Sequence, residues 1–398
     1  MEEFASFRVP QTVLYGRDAF VNVGKEAASR GKKVLIVSDK VMDRLGYVKK
    51  CRRYLLEQGV GSAVYLGVDS EPTDRYVEES LQLLKDEGCE AVISLGGGSC
   101  IDTAKAIVVL AANGGSIGEY MGGISVVEKK PLPHIAIPTT AGTGSEATDV
   151  TVITDTAKDV KMMIKHPAFM PVVAIVDPFL SVSSPGTVTA ATGVDALSHA
   201  VEAYLSKKSH PMTDTLALSA IQLIADNLLD AYRDGEDLDA REAMSLAAMQ
   251  AGMAFSNASV CLVHGMSRPI GALFHVPHGF SNAMLLPAVL EFSKDHCTDR
   301  LAEVGRIFQK ENSHLSEKEC AEVAVEAVKK LCSDLNIPNL KGWGIDEEAF
   351  SHAVSKMTDD AFISGSPANN PRVPTRSELE ELYHICYDYQ FSTSEIVK

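Results

Sequence analysis

The architecture is set in the sequence by Ala91-Val92-Ile93-Ser94-Leu95-Gly96-Gly97-Gly98-Ser99, an apolar run that passes directly into three glycines and a serine. The run is typical of a buried strand, and residues 99–112 have the pattern of a helix with Ser99 as its N-cap. A strand, a glycine turn and a helix N-terminus form a phosphate cradle, because free backbone N–H groups and the positive helix end face the anion. A flexible turn is the alternative, since the ordinary GxGxxG fingerprint is absent here.

On both sides of this stretch, short β-branched runs alternate with amphipathic patterns of helical period. The strand-like runs are 33–37, 63–66, 134–137, 151–154 and 172–176, and the helical patterns are 42–57 and 73–87. This alternation predicts βαβ units around a parallel sheet.

The character of the sequence changes after Asp177-Pro178. From about residue 186 onward the patterns are long, rich in alanine and leucine, and helical in period, as at 213–230 and 241–256. The sequence therefore predicts an α/β dinucleotide-binding domain over residues 1–180 and an all-helical domain over 181–398. Residues 365–375, which include three prolines, are predicted to form a loop.

Composition narrows the function classes. The 398 residues carry a net charge of −16 with no basic stripe, so we expect no nucleic-acid ligand. Eight scattered cysteines without a CxxC pair favour free thiols in a reducing cytosol. An acidic N-terminus, and no stretch of roughly 18 uninterrupted apolar residues, argue against secretion and membrane insertion. A cytoplasmic protein is expected.

A second glycine loop follows the strand-like run 134–137. It is Thr139-Thr140-Ala141-Gly142-Thr143-Gly144-Ser145-Glu146, in which hydroxyl groups alternate with glycines. Such a loop can wrap a diphosphate or a ribose, and an ordered turn is the alternative. Two glycine loops at strand ends in one chain favour a dinucleotide site.

Asp39 ends the first clear strand of the chain. A carboxylate at this place can accept hydrogen bonds from an adenosine ribose and repel a 2′-phosphate, which favours NAD over NADP. Two alternatives stay open: Lys40 could attract that phosphate, and Asp39 could be no more than a helix N-cap.

The strongest constellation lies in the helical half. Asp195 and His199 stand four residues apart, on one face of a predicted helix in an apolar setting. Because a buried, unpaired carboxylate is costly, this pair requires a cation or a tight partner. His264 and His278, from a second apolar and glycine-rich stretch, complete a set that suits Fe²⁺, Zn²⁺, Mn²⁺ or Ni²⁺. Taken singly, each histidine is more often a core or surface residue than a ligand.

With these residues the chain resembles the iron-containing (group III) alcohol dehydrogenases over nearly its whole length. The similarity runs through Asp39, residues 96–105, the 139–146 loop, Asp177-Pro178, the pair Asp195 and His199, and residues 264–279. The resemblance implies a dehydroquinate synthase-like fold, in which an α/β nucleotide domain faces an all-helical metal domain across a cleft.

The resemblance also implies residue roles. Asp195, His199, His264 and His278 resemble the four metal ligands, with Fe²⁺ the expected ion and Zn²⁺ or Mn²⁺ as alternatives. The positions that resemble the cofactor site are Asp39, Gly96, Gly97, Gly98, Ser99, Asp102, Thr139, Thr140, Thr143, Ser145 and Lys161. Family members are commonly dimers or larger, so a homo-oligomer is expected.

The chain departs from the family pattern near the third ligand. Many members carry a histidine four residues after it, able to relay a proton, whereas this chain has Arg268. Arginine cannot shuttle protons at neutral pH, but its fixed cation could hold a carboxylate or sulfonate head group. A salt bridge to an acidic neighbour is the alternative. His275 is a candidate cleft residue or substitute ligand, although the family pattern favours His278 as the ligand.

A second departure is Glu71, where relatives often place an asparagine before Pro72-Thr73. Its negative charge argues against Lys40 or Glu71 as cofactor contacts.

The sequence thus predicts an NAD- and metal-dependent alcohol dehydrogenase or aldehyde reductase for a small primary alcohol. The catalytic candidates are His278 and, by position, Arg268 and His275. Arg268 favours anionic aldehydes such as sulfoacetaldehyde or succinic semialdehyde, while neutral short alcohols, diols and choline stay open. The rival enzymes are a glycerol dehydrogenase and a dehydroquinate synthase-like lyase. A non-catalytic NAD- or metal-binding protein is the rival from another class, and the intact ligand set and loops argue against it.

Overall fold

The computed structural model describes residues 4–158, 160–309 and 314–391, and the chain divides into two compact units. The α/β unit is Arg8–Ser184, four residues longer at its end than the boundary predicted at 180. The helical unit runs from Pro185 onward and includes residues 4–7. Residues 1–3 and 392–398, which the prediction assigned to the two domains, lie outside the described residues.

The α/β unit contains eight strands and six helices within the described residues. The strands are Thr12–Tyr15 (β1), Lys33–Val37 (β2), Gly61–Tyr65 (β3), Ala91–Gly96 (β4), His134–Pro138 (β5), Val150–Asp155 (β6), Val160–Lys165 (β7) and Val173–Val176 (β8). The helices are Val23–Ala28 (α1), Lys40–Arg44 (α2), Tyr47–Glu57 (α3), Asp74–Asp86 (α4), Gly98–Asn113 (α5) and Ile117–Tyr120 (α6).

Six of the strands form one parallel sheet in the order β1-β8-β5-β4-β2-β3. Strands β4, β5 and β8 are buried throughout, as expected for a parallel sheet that helices cover on both faces. Alternate residues of β2 enter opposite cores, with Leu35 packed in the core that contains α5 and Ile36 in the core that contains α3. The period of two along the strand therefore builds two apolar layers.

The strand order reverses between the neighbouring strands β2 and β4, because the chain continues from β2 to β3 on one side and from β4 to β5 on the other. Ligands of open α/β sheets bind at the carboxyl ends of the strands where the order reverses. Asp39 follows β2 and the glycine turn 96–98 ends β4, so two groups of predicted cofactor residues fall at this point.

Several local predictions need correction. Residues 42–57 are not one helix, because Gly46 adopts a left-handed conformation with φ 80° between α2 and α3. Ser99 is not the N-cap of α5: Gly97 precedes the helix and Ser99 lies in its first turn. The run 151–154 is a strand of a separate antiparallel hairpin, β6–β7, and not of the main sheet.

The helical unit contains ten helices within the described residues. They are Gly186–Leu205 (α7), Pro211–Arg233 (α8), Leu238–Ala258 (α9), Leu262–Phe274 (α10), His278–Ser293 (α11), Thr298–Phe308 (α12), Glu317–Asp334 (α13), Leu340–Trp343 (α14), Glu347–Ile363 (α15) and Arg376–Tyr387 (α16). The predicted loop 365–375 contains one short 3₁₀ turn, Ser366–Asn369. A parallel α/β unit and an all-helical unit confirm the predicted fold class.

Helix α7 is the buried centre of this unit. Glycines allow its neighbours to approach: a Cβ on Gly193 of α7 would lie 2.2 Å from Leu228 of α8, and one on Gly279 of α11 would lie 2.8 Å from the carbonyl oxygen of Ala191. Of the helices that the structure describes, none alone is both long and apolar enough to cross a membrane. Helices α9 and α10 pass that test of length and composition only as a pair bent by 103°.

Candidate metal centre and cofactor loops

Four residues that are far apart in the sequence converge in the helical unit. Asp195 and His199 come from α7, His264 from α10, and His278 is the first residue of α11. One ligand atom from each lies within 4.8 Å of the other three. The side chain of His278 is 31% exposed while the other three are buried, so the cluster is accessible on the His278 side.

Packing holds the imidazole rings in place. The ring of His199 stacks on Phe255 of α9 at a centroid distance of 4.2 Å, and on His264 at 4.4 Å. His278 follows Pro277 and precedes Gly279, whose missing side chain lets the start of α11 approach α7. Glycine beside the predicted ligand His278 therefore allows the two ligand-bearing helices to pack closely.

The electrostatics of the cluster fit a cation. Asp195 is 1% exposed, and among the described residues its carboxylate has no lysine or arginine within 4.0 Å; its neighbours are the three imidazoles and the neutral amide of Asn282. The Nδ1 atom of His199 is buried without a hydrogen-bond partner. A buried carboxylate and an unpaired imidazole nitrogen are both costly without a cation, so the donor set fits a divalent metal of the Fe²⁺ or Zn²⁺ type.

Glu202 supports this cluster, and the sequence analysis missed it. Its Oε2 lies 2.5 Å from Nδ1 of His264, and its Oε1 accepts from the backbone N–H of Val263 at 2.6 Å. Burial raises the pKa of the Glu202 carboxyl to about 7 and lowers the pKa of His264 well below its usual value. The spacing of Glu202, three residues after His199 on an apolar helix, was the signal that could have identified it.

Asn282 is the second residue that was missed. Its Nδ2 lies 2.6 Å from Oδ1 of Asp195, 3.0 Å from Nε2 of His264 and 3.2 Å from Nε2 of His278. An amide nitrogen has two hydrogens, so it cannot satisfy three acceptors, and its own Oδ1 is buried without a partner. Asn282 stands four residues after His278, the same helical spacing that links Asp195 to His199.

Arg268 lies one helical turn after His264. Its Nη1 donates to Oγ of Ser366 at 3.0 Å, and no carboxylate of the described residues lies within 4.0 Å of the guanidinium. The salt bridge that was the alternative for Arg268 is therefore not found. Burial lowers the pKa of Arg268 to about 10, which leaves it cationic at neutral pH. Gly265 permits this approach, because a Cβ there would lie 2.9 Å from Pro367.

His275 does not join the ligand set. It is exposed, has a left-handed backbone with φ 55°, and ends α10. The group of metal-ligating side chains found in the described residues contains His278 and not His275. The alternative of His275 as a substitute ligand is therefore not supported by the geometry.

The two glycine loops of the α/β unit lie side by side. Strands β4 and β5 are neighbours, and the backbone N–H of Thr139 donates to the carbonyl of Gly96 at 3.1 Å. A Cβ on Gly98 would lie 2.9 Å from Cγ2 of Thr143, so glycine is required for this contact. Gly97 and Ser99 flank Gly98 at the start of α5, where the first N–H groups of a helix have no intrahelical acceptor.

Asp102 and Ser145, predicted as cofactor residues, are bonded within the unit. The Ser145 hydroxyl donates to Oδ1 of Asp102 at 2.5 Å and accepts from Nζ of Lys105 at 2.8 Å. Oδ2 of Asp102 accepts from the backbone N–H of Val152. Lys105 is completely buried and also donates to Thr148. These bonds tie α5 to the second glycine loop, and direct contact of Asp102 and Ser145 with a cofactor stays a prediction.

Asp39 has the local role that was its alternative. Its Oδ1 caps α2 by accepting from the backbone N–H groups of Val41 and Met42 at 2.7 and 2.8 Å. Its Oδ2 lies 3.9 Å from Sγ of Cys100, beside the glycine turn. Capping uses Oδ1 alone, so Asp39 could cap α2 and still bind a ribose through Oδ2, as predicted.

Lys161 is paired within the unit. Its Nζ lies 3.2 Å from Oε2 of Glu71, the residue at which the chain departs from the family pattern. The Lys161 side chain is 11% exposed and the Glu71 side chain is 47% exposed. A ligand at Lys161 would share the ammonium with this carboxylate.

Comparison with known families accounts for both units. Residues 10–178 match the family described as iron-containing alcohol dehydrogenase, and residues 189–387 match the C-terminal part of the Fe-containing alcohol dehydrogenase family. The chain belongs to the iron-containing alcohol dehydrogenases. It is therefore an oxidoreductase that acts on CH–OH groups of alcohols, which confirms the predicted enzyme class.

Individual iron-containing alcohol dehydrogenases cover almost the full chain. An NAD-dependent methanol dehydrogenase of Bacillus methanolicus is 39% identical over 95% of this chain and 98% of its own. The crystal structure of a 1,3-propanediol oxidoreductase is 36% identical with a TM-score of 0.93, and covers 97% of this chain and 100% of its own. A sulfoacetaldehyde reductase of Bifidobacterium kashiwanohense in complex with NAD⁺ is 28% identical with a TM-score of 0.87, over 97% and 100%.

Proposed function

We propose that this chain interconverts small primary alcohols and their aldehydes with NAD as the hydride carrier and one divalent metal, Fe²⁺ in the first place, as cofactor. The observation that carries the proposal is the buried set of Asp195, His199, His264 and His278, in which a carboxylate has no cationic side chain beside it. NAD is supported by the Bacillus methanolicus relative, an NAD-dependent methanol dehydrogenase, and iron is supported by the iron-containing family to which the chain belongs.

The chemistry needs a Lewis acid and a hydride carrier. When bound, the metal supplies Lewis-acid polarisation of the substrate oxygen, and the nicotinamide accepts or donates the hydride. Asp195, His199, His264 and His278 would hold the metal by one carboxylate oxygen and three imidazole nitrogens. The half-exposed His278 lies where a small substrate reaches the cluster from solvent. Oxidation removes a hydride from the carbinol carbon and a proton from its hydroxyl, and reduction adds both.

The glycine loops are the proposed NAD site. The backbone N–H groups at Gly97, Gly98 and Ser99 face the pyrophosphate at the start of α5, where the helix end is positive. Thr139, Thr140 and Thr143 belong to the adjoining loop, and Oδ2 of Asp39 remains for the adenosine ribose. A carboxylate at this place disfavours a 2′-phosphate, so NADP is a poor substitute.

Arg268 is the proposed selector for an anionic aldehyde. A partly buried guanidinium with one hydroxyl partner retains donors for a carboxylate or sulfonate, which it can bind in a bidentate manner. Its place one turn after His264 sets the head group close to the metal ligands. The Bifidobacterium relative, a sulfoacetaldehyde reductase, supports this class. Arg268 cannot carry the proton, so the proton leaves through water, the ribose hydroxyls or the exposed His275.

The test begins with protein purified without chelator and loaded separately with Fe²⁺, Zn²⁺ or Mn²⁺. NADH oxidation is followed with aldehydes of similar length: anionic sulfoacetaldehyde and succinic semialdehyde, neutral propionaldehyde, and cationic betaine aldehyde. Metal-dependent oxidation that favours the anionic aldehydes is expected. Net NADH consumption also separates a dehydrogenase from a lyase that restores its NAD in each cycle. No turnover with any metal and aldehyde would overturn the proposed activity.

Arg268 is tested with a matched pair of variants. Arg268→Met keeps the length of the side chain without its charge, and Arg268→Lys keeps the charge without the bidentate fork. Hydrogen bonds to charged groups contribute about 1.5–3 kcal/mol, so Arg268→Met should raise KM for anionic aldehydes about 10- to 100-fold. For Arg268→Lys, KM for anionic aldehydes should lie between the values for the wild type and Arg268→Met. In both variants KM for propionaldehyde should hardly change. Equal losses for neutral and anionic aldehydes would eliminate Arg268 as a selector.

The homo-oligomeric state and the cytoplasmic location stay predictions.

A further inference from the structure

We infer that Glu202 is a positioning residue of the metal centre: its carboxylate fixes the Nδ1–H tautomer of His264 and aims Nε2 of that ring at the other ligands. The inference deepens the proposed function and rests on its metal centre. Glu202 itself is not proposed to touch the metal or the substrate.

The carboxylate joins two of the helices that carry ligands. Glu202 is on α7, three residues after His199 and seven after Asp195, so the three side chains share one face of the helix. Its two oxygens contact two groups of α10: Oε1 accepts from the backbone N–H of Val263 at 2.6 Å, and Oε2 lies at the hydrogen-bond distance of 2.5 Å from Nδ1 of His264. The side chain is 4% exposed, so bulk water has little access to either bond.

The opposite edge of the His264 ring faces the cluster. Nε2 of His264 lies 3.8 Å from Oδ1 of Asp195 and 3.0 Å from Nδ2 of Asn282. A neutral imidazole carries one hydrogen on its two nitrogens. With that hydrogen on Nδ1 and donated to Glu202, the lone pair of Nε2 is directed at the metal position. Carboxylates that hold the outer nitrogen of a ligating histidine orient the ring and raise its basicity.

The distinction between a carboxylate and an amide is decisive here. Val263 and His264 together require two acceptors, and a carboxylate offers two oxygens. Glutamine offers one oxygen and one NH₂ group. Because the backbone N–H of Val263 can only donate, it keeps the oxygen, and the NH₂ group faces Nδ1 of His264. The ring must then accept at Nδ1 and carry its hydrogen on Nε2, where it cannot bind a metal.

The experiment measures Zn²⁺ affinity by competition with a fluorescent chelator for the wild-type chain, Glu202→Gln and Glu202→Asp. Loss of an outer carboxylate typically weakens metal binding 10- to 100-fold, and this range is expected for Glu202→Gln. Glu202→Asp keeps both acceptors at a shorter reach and should recover part of the affinity. Glu146→Gln is the matched control, since Glu146 is also a buried glutamate with a pKa raised to about 7, but in the α/β unit. It should leave Zn²⁺ affinity unchanged.

A second readout does not depend on metal or turnover. The ¹⁵N shifts of His264 in metal-free protein distinguish the two tautomers, with Nδ1–H expected in the wild type and Nε2–H in Glu202→Gln. Unchanged Zn²⁺ affinity, or the same tautomer in both proteins, would overturn the role of Glu202. A wild-type chain that binds no Zn²⁺, or binds it equally after Asp195→Ala, would instead overturn the metal centre and this inference with it.

Discussion

The two units build their candidate sites from different groups: mainly backbone in the α/β unit, and side chains in the helical unit. In the α/β unit the proposed cofactor site is mainly backbone: glycine turns that lie together at the carboxyl ends of β4 and β5. Three polar side chains predicted there, Asp102, Ser145 and Lys161, already have partners in the same unit. In the helical unit the site is made of side chains, which three helices bring within 4.8 Å.

Because of this difference, we expect substitutions in the two units to impair different properties, turnover in one and stability in the other. A backbone cradle depends on the conformation and spacing of its loops, so side chains behind it act by holding the loops. A side-chain cluster depends on a few buried atoms, each of which is lost with one substitution. Substitutions should therefore impair turnover most in the helical unit and stability most in the network behind the loops.

The largest effect is expected from Asp195→Ala. The metal contributes several kcal/mol of charge stabilisation, and each 1.36 kcal/mol changes a rate tenfold, so kcat/KM should fall by about 10³-fold or more. Binding of NADH, measured by its fluorescence, should be retained because the glycine loops belong to the other unit. A variant with wild-type kcat/KM would show that the cluster is not the metal site.

Lys105→Met is expected to have the next largest effect, on stability. It removes three hydrogen bonds and leaves Asp102 in a buried setting without its cation, which costs about 3 kcal/mol. Urea unfolding followed by circular dichroism should detect the loss. Trp343, the only tryptophan of the chain, lies in the helical unit, so its fluorescence transition should shift less. Equal shifts with both probes would contradict a loss confined to the α/β unit.

A double variant separates the two contributions at Lys105. Asp102→Leu combined with Lys105→Met removes both charges, so it should be less destabilised than Lys105→Met alone. A double variant that is less stable would show that the hydrogen bonds, and not the unpaired carboxylate, dominate.

Short-range patterns made much of this molecule predictable. Alternating strands and helices identified the parallel sheet, and the residue pair Asp195 and His199 followed from a spacing of four on an apolar helix. The glycine loops were predictable because glycine leaves room for close neighbours, as Gly98 does for the side chain of Thr143. These features depend on local geometry, which a sequence records directly.

Features that depend on long-range contacts were missed. Glu202 and Asn282 contact the ligand residues only where α7, α10 and α11 meet. His264 and Glu202, for example, are bonded although they are 62 residues apart in the sequence. Lys105 was overlooked because a lysine in a helix is normally exposed, and only its partners near residues 145–150 explain its burial. The sequence showed Glu71 as a departure from the family pattern, but not that its carboxylate pairs with Lys161, 90 residues later in the chain.

His134 in β5 gives the α/β unit a moderate sensitivity to acid. Burial lowers the pKa of His134 to about 3, with a smaller effect from Lys105, and its Nε2 is 2.8 Å from Oγ of Ser94. The unfolded chain takes up the proton first, near its usual pKa of about 6.5, so stability is lost as the pH falls from about 6.5 toward 3. The loss is up to about 1.4 kcal/mol per pH unit. Urea midpoints of the wild type and His134→Gln should diverge below about pH 6, and parallel curves would refute the assignment.

The smallest effect is expected at the pair of Glu71 and Lys161. Glu71→Gln releases the Lys161 ammonium from its carboxylate and makes it available to an anionic cofactor. A surface ion pair contributes about 0.2–1 kcal/mol, and this pair is exposed on its Glu71 side, so the Kd for NAD should fall by no more than about fivefold, with a larger fall for NADP. Asp155→Asn is the control, since it frees Lys158 from a comparable pair 2.9 Å long on the same hairpin. If both variants bind NAD like the wild type, Lys161 does not contact the cofactor. The site in this unit would then depend on backbone groups with even less contribution from side chains.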